Sequence, residues 1–290
     1  AKTFNYAYPN TLPSYDTSSD DANGFLPFNA QQKAFSKTAL AYIATVIDLH
    51  FVETTVVDQP NTINFANNDQ DDSAGWASYP GSGSINSDIF IDNNFDNIAP
   101  ADGSYAAMVF IHEIGHALGL KHPFDDSPVL PSSENTSALT VMSYRSFPAD
   151  FHLKYSAFDI AALQYLYGPS KTARTGDDTY AINPLSSNFI WDGAGVDTLS
   201  AQGLGDAVTL YLEPGYWGYV GRKSDLITSI GQVTVNFGTV IENLVGGNGD
   251  DHLYGNSIAN VITGGFGDDS IDGGAGVDTS TYQGLRSQYV

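Results

Sequence analysis

From Gly246 the chain repeats every nine residues without a gap: GGNGDDHLY (246–254), GNSIANVIT (255–263), GGFGDDSID (264–272) and GGAGVDTST (273–281). The first and third units fit G-G-x-G-x-D-x-U-x in full, where U is apolar. The fourth keeps the glycines and the acid but has Ser280 at the apolar position, and the second keeps only Gly255 and Ile262. A strict short period of this kind predicts one turn and one short strand per unit, stacked as a parallel β-roll. Glycines allow the tight turns and leave carbonyls bare. The sixth-position acids Asp251, Asp269 and Asp278 add carboxylates, and such hard oxygen ligands suit Ca²⁺. A flexible Gly/Asp linker would not repeat an apolar residue at Leu253, Ile262 and Ile271. A phosphate-cradling loop would not carry acids that repel phosphate.

Charge sharpens the need for cations. The 290 residues carry 33 Asp+Glu against 11 Lys+Arg, a formal net charge of −22, and beyond Lys223 the only basic residue is Arg286. Five acids are Glu (53, 113, 134, 213 and 242); the rest are Asp, whose short side chain favours turns. Such a chain repels nucleic acid and anionic membranes, which are bound through basic surfaces. No apolar run approaches the roughly 18 residues of a membrane span. Zero cysteines exclude disulfides, thiol nucleophiles and Cys-bound metal, and permit an extracellular protein clamped by other means. The opening AKTFNYAYPN lacks the charged-then-apolar pattern of a signal peptide, and no pro-segment is evident. A matured form exported without an N-terminal signal is therefore expected.

The first half alternates helices and strands. Asn29 and Gln32 make a capping box, and Phe35, Ala39, Tyr42, Ile43, Val46 and Ile47 recur at helical spacing, which predicts a helix over about residues 30–49. β-rich runs follow at 51–57, 62–65 and 89–91. Residues 104–120 read as a strongly apolar helix. A third helix starts at Ser156, has Asp159 as its N3 acid, and stops at Gly168-Pro169. This alternation suggests one sheet backed by helices. From about Ser170 only short β runs remain, such as 208–212 and 233–237.

Three of the six histidines fall within eleven residues: His112-Glu113-Ile-Gly-His116-Ala-Leu-Gly119-Leu-Lys-His122. In a helix His112 and His116 share one face, so both imidazoles can reach one ion. Glu113 lies about 100° round from His112, beside the ion without binding it, where a general base belongs. Gly119 can end the helix with positive φ, and the returning chain presents His122. Three neutral imidazoles with an open position suit catalytic Zn²⁺. His50, His152 and His252 lack such company and are assigned nothing.

Twenty residues past His122 comes Val141-Met142-Ser143-Tyr144. The extended histidine motif followed by a Met-containing turn resembles the metzincin zinc endopeptidases, and within that clan the chain resembles the serralysin family of secreted bacterial proteases. The likeness includes Ser104-Tyr105, His122-Pro123, Asp159-Ile-Ala-Ala-Leu-Gln-Tyr-Leu-Tyr-Gly168, Arg174-Thr-Gly-Asp-Asp178 and Trp191-Asp192-Gly-Ala-Gly-Val-Asp197-Thr198, and runs from about Phe25 to the repeats. It implies an α+β zinc-metalloprotease domain over 1–168, then an all-β parallel β-roll of RTX repeats over 169–290. It implies one catalytic zinc on His112, His116 and His122, Glu113 as base, Met142 as an apolar floor, and Tyr144 as a switchable zinc ligand that stabilises the oxyanion. It implies several structural calcium ions on Arg174, Gly176, Gly195, Gly247, Gly249, Gly264 and Gly265 and on Asp178, Asp192, Asp197, Asp251, Asp269 and Asp278, with Glu242 joining Gly247, Gly249 and Asp251. Gly75–Pro80 resembles the family's edge strand above the cleft, the alternative being a plain loop. Protein or peptide substrates and a monomer follow, with room for a protein inhibitor.

Two departures limit the likeness. The segment between His122 and Met142 is short for the best-known members, so substrate preference does not carry over. Where the family continues with a sandwich-like segment and an export signal, this sequence has Tyr282–Val290, which suggests a trimmed piece or a short variant. Two rival functions stand beside the protease: a calcium-dependent attachment module with a structural zinc, which an intact Glu113 argues against, and a zinc hydrolase of non-peptide amides.

Overall fold

The computed structural model describes residues 2–16, 18–81, 86–145 and 151–282; beyond Tyr282 the expectation about the final stretch lies outside them. The chain divides into two compact units, Ala1–Tyr167 and Gly168–Val290. No helix among the described residues is long and apolar enough to cross a membrane.

In chain order the first unit comprises β1 (Lys2–Ala7), α1 (Ser19–Ala22), β2 (Leu26–Pro27), α2 (Ala30–Ala44), β3 (Leu49–Glu53), β4 (Thr62–Asn68), β5 (Gly75–Ala77), β6 (Asn86–Asp92), α3 (Phe95–Ile98), α4 (Tyr105–Ala117) and α5 (Ala157–Tyr167). The sheet runs β3-β1-β4-β6-β5, with β2 paired to β4. Most pairs are parallel; β5 runs antiparallel to β6 and forms the edge. Ile63, Phe65, Ile89 and Ile91 are buried with Ile43 of α2 and Phe110, Ile111 and Ile114 of α4 in one core.

Both halves of the Asn29–Gln32 capping box form. The helix, however, stops at Ala44 and not near residue 49. Thr45, Val46 and Ile47 are β-branched and stiff in a helix, and Leu49–Glu53 find ladder bonds beside β1 instead. Val46 and Ile47 remain buried, so their helical spacing reflects the core they share. Helix α4 is capped by Ser104 and buried on almost every side, as its all-round apolar composition requires.

The second unit comprises β7 (Thr179–Ala181), β8 (Asn188–Ile190), β9 (Thr198–Ser200), β10 (Val208–Tyr211), β11 (Trp217–Val220), β12 (Gln232–Val235), β13 (Asn243–Val245), β14 (His252–Tyr254), β15 (Val261–Thr263), β16 (Ser270–Asp272) and β17 (Thr279–Thr281). Successive repeat strands alternate between two sheets, β17-β15-β13-β9-β7 and β16-β14-β10-β11-β12-β8. Leu244 therefore pairs with Ile262 and Leu253 with Ile271, two nonapeptides to each full turn. Leu199, Leu210, Leu244, Leu253 and Ile262 fill the interior. The roll is not parallel throughout: β11 runs antiparallel to both β10 and β12. That stretch lacks the nine-residue pattern, and Gly215 at φ +83° helps the chain reverse as a hairpin.

Candidate metal centre and cleft

Gly119 takes φ +101° and ends α4, a conformation that glycine alone adopts freely. Leu120 N–H then returns to the Gly115 carbonyl at 2.9 Å. The reversed chain carries His122 to the buried pair His112 and His116. Its Nε2 lies 3.3 Å from that of His112 and 3.1 Å from that of His116. Each Nδ1 is engaged on the outside: His112 with Val141 O at 2.8 Å, His116 with Leu120 O at 2.7 Å, and His122 with the Asp125 carboxylate at 2.6 Å. Those partners only accept, so each ring holds its proton on Nδ1 and turns an Nε2 lone pair inward. Three lone pairs this close repel one another unless a cation sits among them. Tetrahedral bonds of about 2.0–2.1 Å place nitrogens roughly 3.3 Å apart, so the set fits zinc. Burial also lowers His112 and His116 to about 4, which keeps both rings neutral at pH 7.

Glu113 is 5% exposed. Burial raises its carboxyl to about 8, and its Oε2 has no hydrogen-bond partner. β5 crosses it closely: a Cβ on Gly75 would stand 2.9 Å from Glu113 Cγ and 3.0 Å from Val109 Cγ1. Buried Met142 sets its sulfur where a Cβ on Gly115 would come within 2.8 Å. Tyr144 is 70% exposed, with its ring 4.7 Å from that of His122 and 6.0 Å from that of His112. Phe124 stacks on His122, and Tyr79 meets His116 edge-on. Of the Gly75–Pro80 segment, Gly75–Ala77 forms the edge strand. A pocket of about 290 Å³ opens between this strand, α4 and Ser143-Tyr144.

Two further residues serve the site. Asp159 reads in the sequence as a helix N-terminal acid and does accept from Ser156 N–H at 3.0 Å. It also accepts from Thr140 Oγ1 at 2.6 Å and Val141 N–H at 2.8 Å. Asp159 thus holds the turn whose Val141 carbonyl orients His112, and burial raises it to about 6. Asp125, the partner of His122, was missed; its only signal is a carboxylate three residues after a ligand. Lys121 closes this short loop by donating to the carbonyls of Asp126 and Pro128 at 2.8 and 3.2 Å.

In the roll, carboxylate oxygens of Asp178, Asp192 and Asp197 lie within 4.8 Å of one another. Asp192 Oδ2 and Asp197 Oδ2 are buried without partners, and burial and its acidic neighbours raise Asp197 to about 6. The Gly176 carbonyl crowds Gly195, where a Cβ would be 2.2 Å away. Three carboxylates this close, two of them with buried unpartnered oxygens, fit a hard cation. The Arg174 carbonyl accepts from Gly193 and Ala194 N–H at 3.1 and 3.2 Å. On the opposite turns, Asp251 N–H donates to Asp269 at 3.0 Å. The carbonyls of Gly264 and Gly247 crowd Gly246 and Gly265, and Gly249 packs on Ala207. Glu242 does not join Gly247, Gly249 and Asp251. It accepts from Asp197 N–H at 2.7 Å, because acids nine residues apart precede strands of opposite sheets. Asp278 stands on Glu242's side, accepting from Asn260 N–H at 2.9 Å.

Residues 14–168 match the family described as Matrixin, and residues 245–279 match the RTX calcium-binding nonapeptide repeat. The chain belongs to the matrixin family, as a serralysin-type metzincin with RTX repeats. It is 34% identical to Serralysin A of Dickeya chrysanthemi over 277 residues, covering 83% of this chain and 57% of that protein. Serralysin C of the same organism is 35% identical over 284 residues, with 83% and 57% covered. Metallopeptidase AprA of Pseudomonas marginalis is 32% identical over 295 residues, with 89% and 61% covered. The chain thus spans about three fifths of the length of these relatives.

Proposed function

We propose that the chain is a zinc-dependent endopeptidase acting on proteins outside the cell, with a catalytic part ending near Gly168 and a calcium-clamped roll after it. The observation that carries this is the convergence of three inward Nε2 atoms beside a buried carboxylate with an unpartnered oxygen. His112, His116 and His122 hold zinc, which when bound polarises a carbonyl and acidifies water. A cation nearby lowers the pKa of Glu113 from about 8, so its carboxylate can take a proton from the attacking water. Glu113 then returns that proton to the leaving amine. Exposed Tyr144 is free to turn and offers its phenol O–H to the oxyanion. Met142 floors the three rings. The edge of β5 pairs with the backbone of an extended peptide, which favours substrates by main-chain shape.

Arg174, Gly176, Gly195, Asp178, Asp192, Asp197 and Glu242 would hold calcium on one side of the roll, with Asp278 further along that same side, and Gly247, Gly249, Gly264, Gly265, Asp251 and Asp269 would hold it on the other. Calcium binds the folded roll and not the acidic unfolded chain, so folding follows its concentration. The chain would stay unfolded in a low-calcium cytoplasm and fold after export. Casein hydrolysis by the parent and by Glu113→Ala, with metal content measured on both, tests the reading. About one zinc on each and cleavage by the parent alone is expected; zinc on both and cleavage by neither would return the chain to the attachment-module reading.

A further inference from the structure

We infer that Asp72 makes this chain select a cationic side chain directly after the bond it cuts. This rests on the endopeptidase reading above. Glu113 must reach the leaving nitrogen to protonate it. The pocket that Glu113 itself lines therefore receives the side chain of the residue carrying that nitrogen.

The pocket has two characters. Tyr105, Met108 and Val109 of α4 and Ala74 before β5 give it an apolar wall. Among the described residues its lining includes exposed Asp72 and no Lys or Arg. A volume of about 290 Å³ admits a long side chain. Lys and Arg lay an aliphatic stem on apolar surface while the charged head seeks water or an acid, which matches a wall of Met108 and Val109 with Asp72 beside it. A glutamate in the same place would face two carboxylates, Glu113 and Asp72. Two cations of the same unit are engaged elsewhere. Lys121 is bound to the Asp126 and Pro128 carbonyls and Arg145 to the Ser132 carbonyl at 2.9 Å. Among the described residues Asp72 has no ion-pair partner.

The test uses four peptides that differ only after the scissile bond, with Arg, Gln, Leu or Glu there, and the full chain loaded with zinc and calcium. The expected order of kcat/KM puts Arg first and Glu last. An exposed ion pair supports an Arg-to-Gln ratio of roughly 3- to 5-fold at low salt, shrinking at high salt. Asp72→Asn removes most of that ratio, while Asp71→Asn, outside the lining, leaves it. Equal rates for Arg, Gln and Glu, or a ratio that survives Asp72→Asn, overturns the inference while leaving the endopeptidase intact. Failure to cleave casein or any of the four peptides overturns the endopeptidase itself. Calorimetric binding of the same peptides to Glu113→Ala keeps the pocket testable in that event: Arg above Gln supports it, and no difference rejects it.

Discussion

His122 lies outside any helix or strand, and its ring is held from two sides: the Asp125 carboxylate accepts from Nδ1–H and Phe124 stacks on the face. Asp125→Ala should leave the fold intact but weaken zinc binding by about 10- to 100-fold, read by competition with a chelator. Asp159→Ala should act on stability as well. It strands the donors of Thr140, Val141 and Ser156, so a loss of about 2–3 kcal/mol is expected in urea unfolding, together with weaker zinc binding through the loosened Val141 carbonyl. The histidines also set a pH limit. In the metal-free chain His112 and His116 sit near 4, against about 6.5 when unfolded. At these two rings the unfolded state then binds more protons between those values, so their contribution to stability is lost as pH drops from about 6.5 to 4. Denaturant midpoints across that range check it.

The turns of the roll are not equivalent. At 255–260 one amide replaces the acid and another a glycine: Asn260 Nδ2 donates to the Glu242 carbonyl at 3.1 Å, and Asn256 Nδ2 donates to the Ile241 carbonyl at 2.9 Å. A donor thus stands at Asn260 where other turns present a carboxylate, so this rung is expected to hold without an ion. Hydrogen exchange in chelator should leave residues 255–260 the most protected turn of the roll, and Asn260→Asp should abolish that protection. Asp197 gives the complementary test. Its folded pKa of about 6 lies above the unfolded value of about 3.9, so the folded state binds the extra proton. Without calcium, the penalty of ionised Asp197 is present above pH 6 and relieved as pH falls toward 4, and the roll should become more stable on mild acidification. With calcium the order reverses, because protons compete for its ligands.

At the scale of the molecule, a net charge of −22 opposes compaction unless cations enter. Excess EGTA should remove the strand signal of the roll in circular dichroism, with partial recovery in high salt as repulsion is screened. An unchanged spectrum in chelator would remove calcium from the account of folding. The two compact units predict two melting transitions, one responding to calcium and the other to zinc.

Much of this was legible in the sequence because its spacing is local. A nine-residue period becomes a ladder in which every second unit pairs, and His-x-x-x-His with Gly119 becomes three converging nitrogens, since helix and turn geometry convert chain offset directly into position. What the sequence left open depends on register between distant segments. Glu242 reaches Asp197, 45 residues back, because alternation between sheets decides which acids meet. Asp159 holds the turn at Val141, and Gly75 lets an edge strand lie against Glu113, only once helices and sheet are packed. The sequence by itself determined the convergence of the three histidines and the roll, where hydrogen-bond geometry repeats along the chain. The tertiary structure alone decided the pocket beside Glu113, the orienting carboxylates and the grouping of the acids, because those contacts exist only between elements already in place.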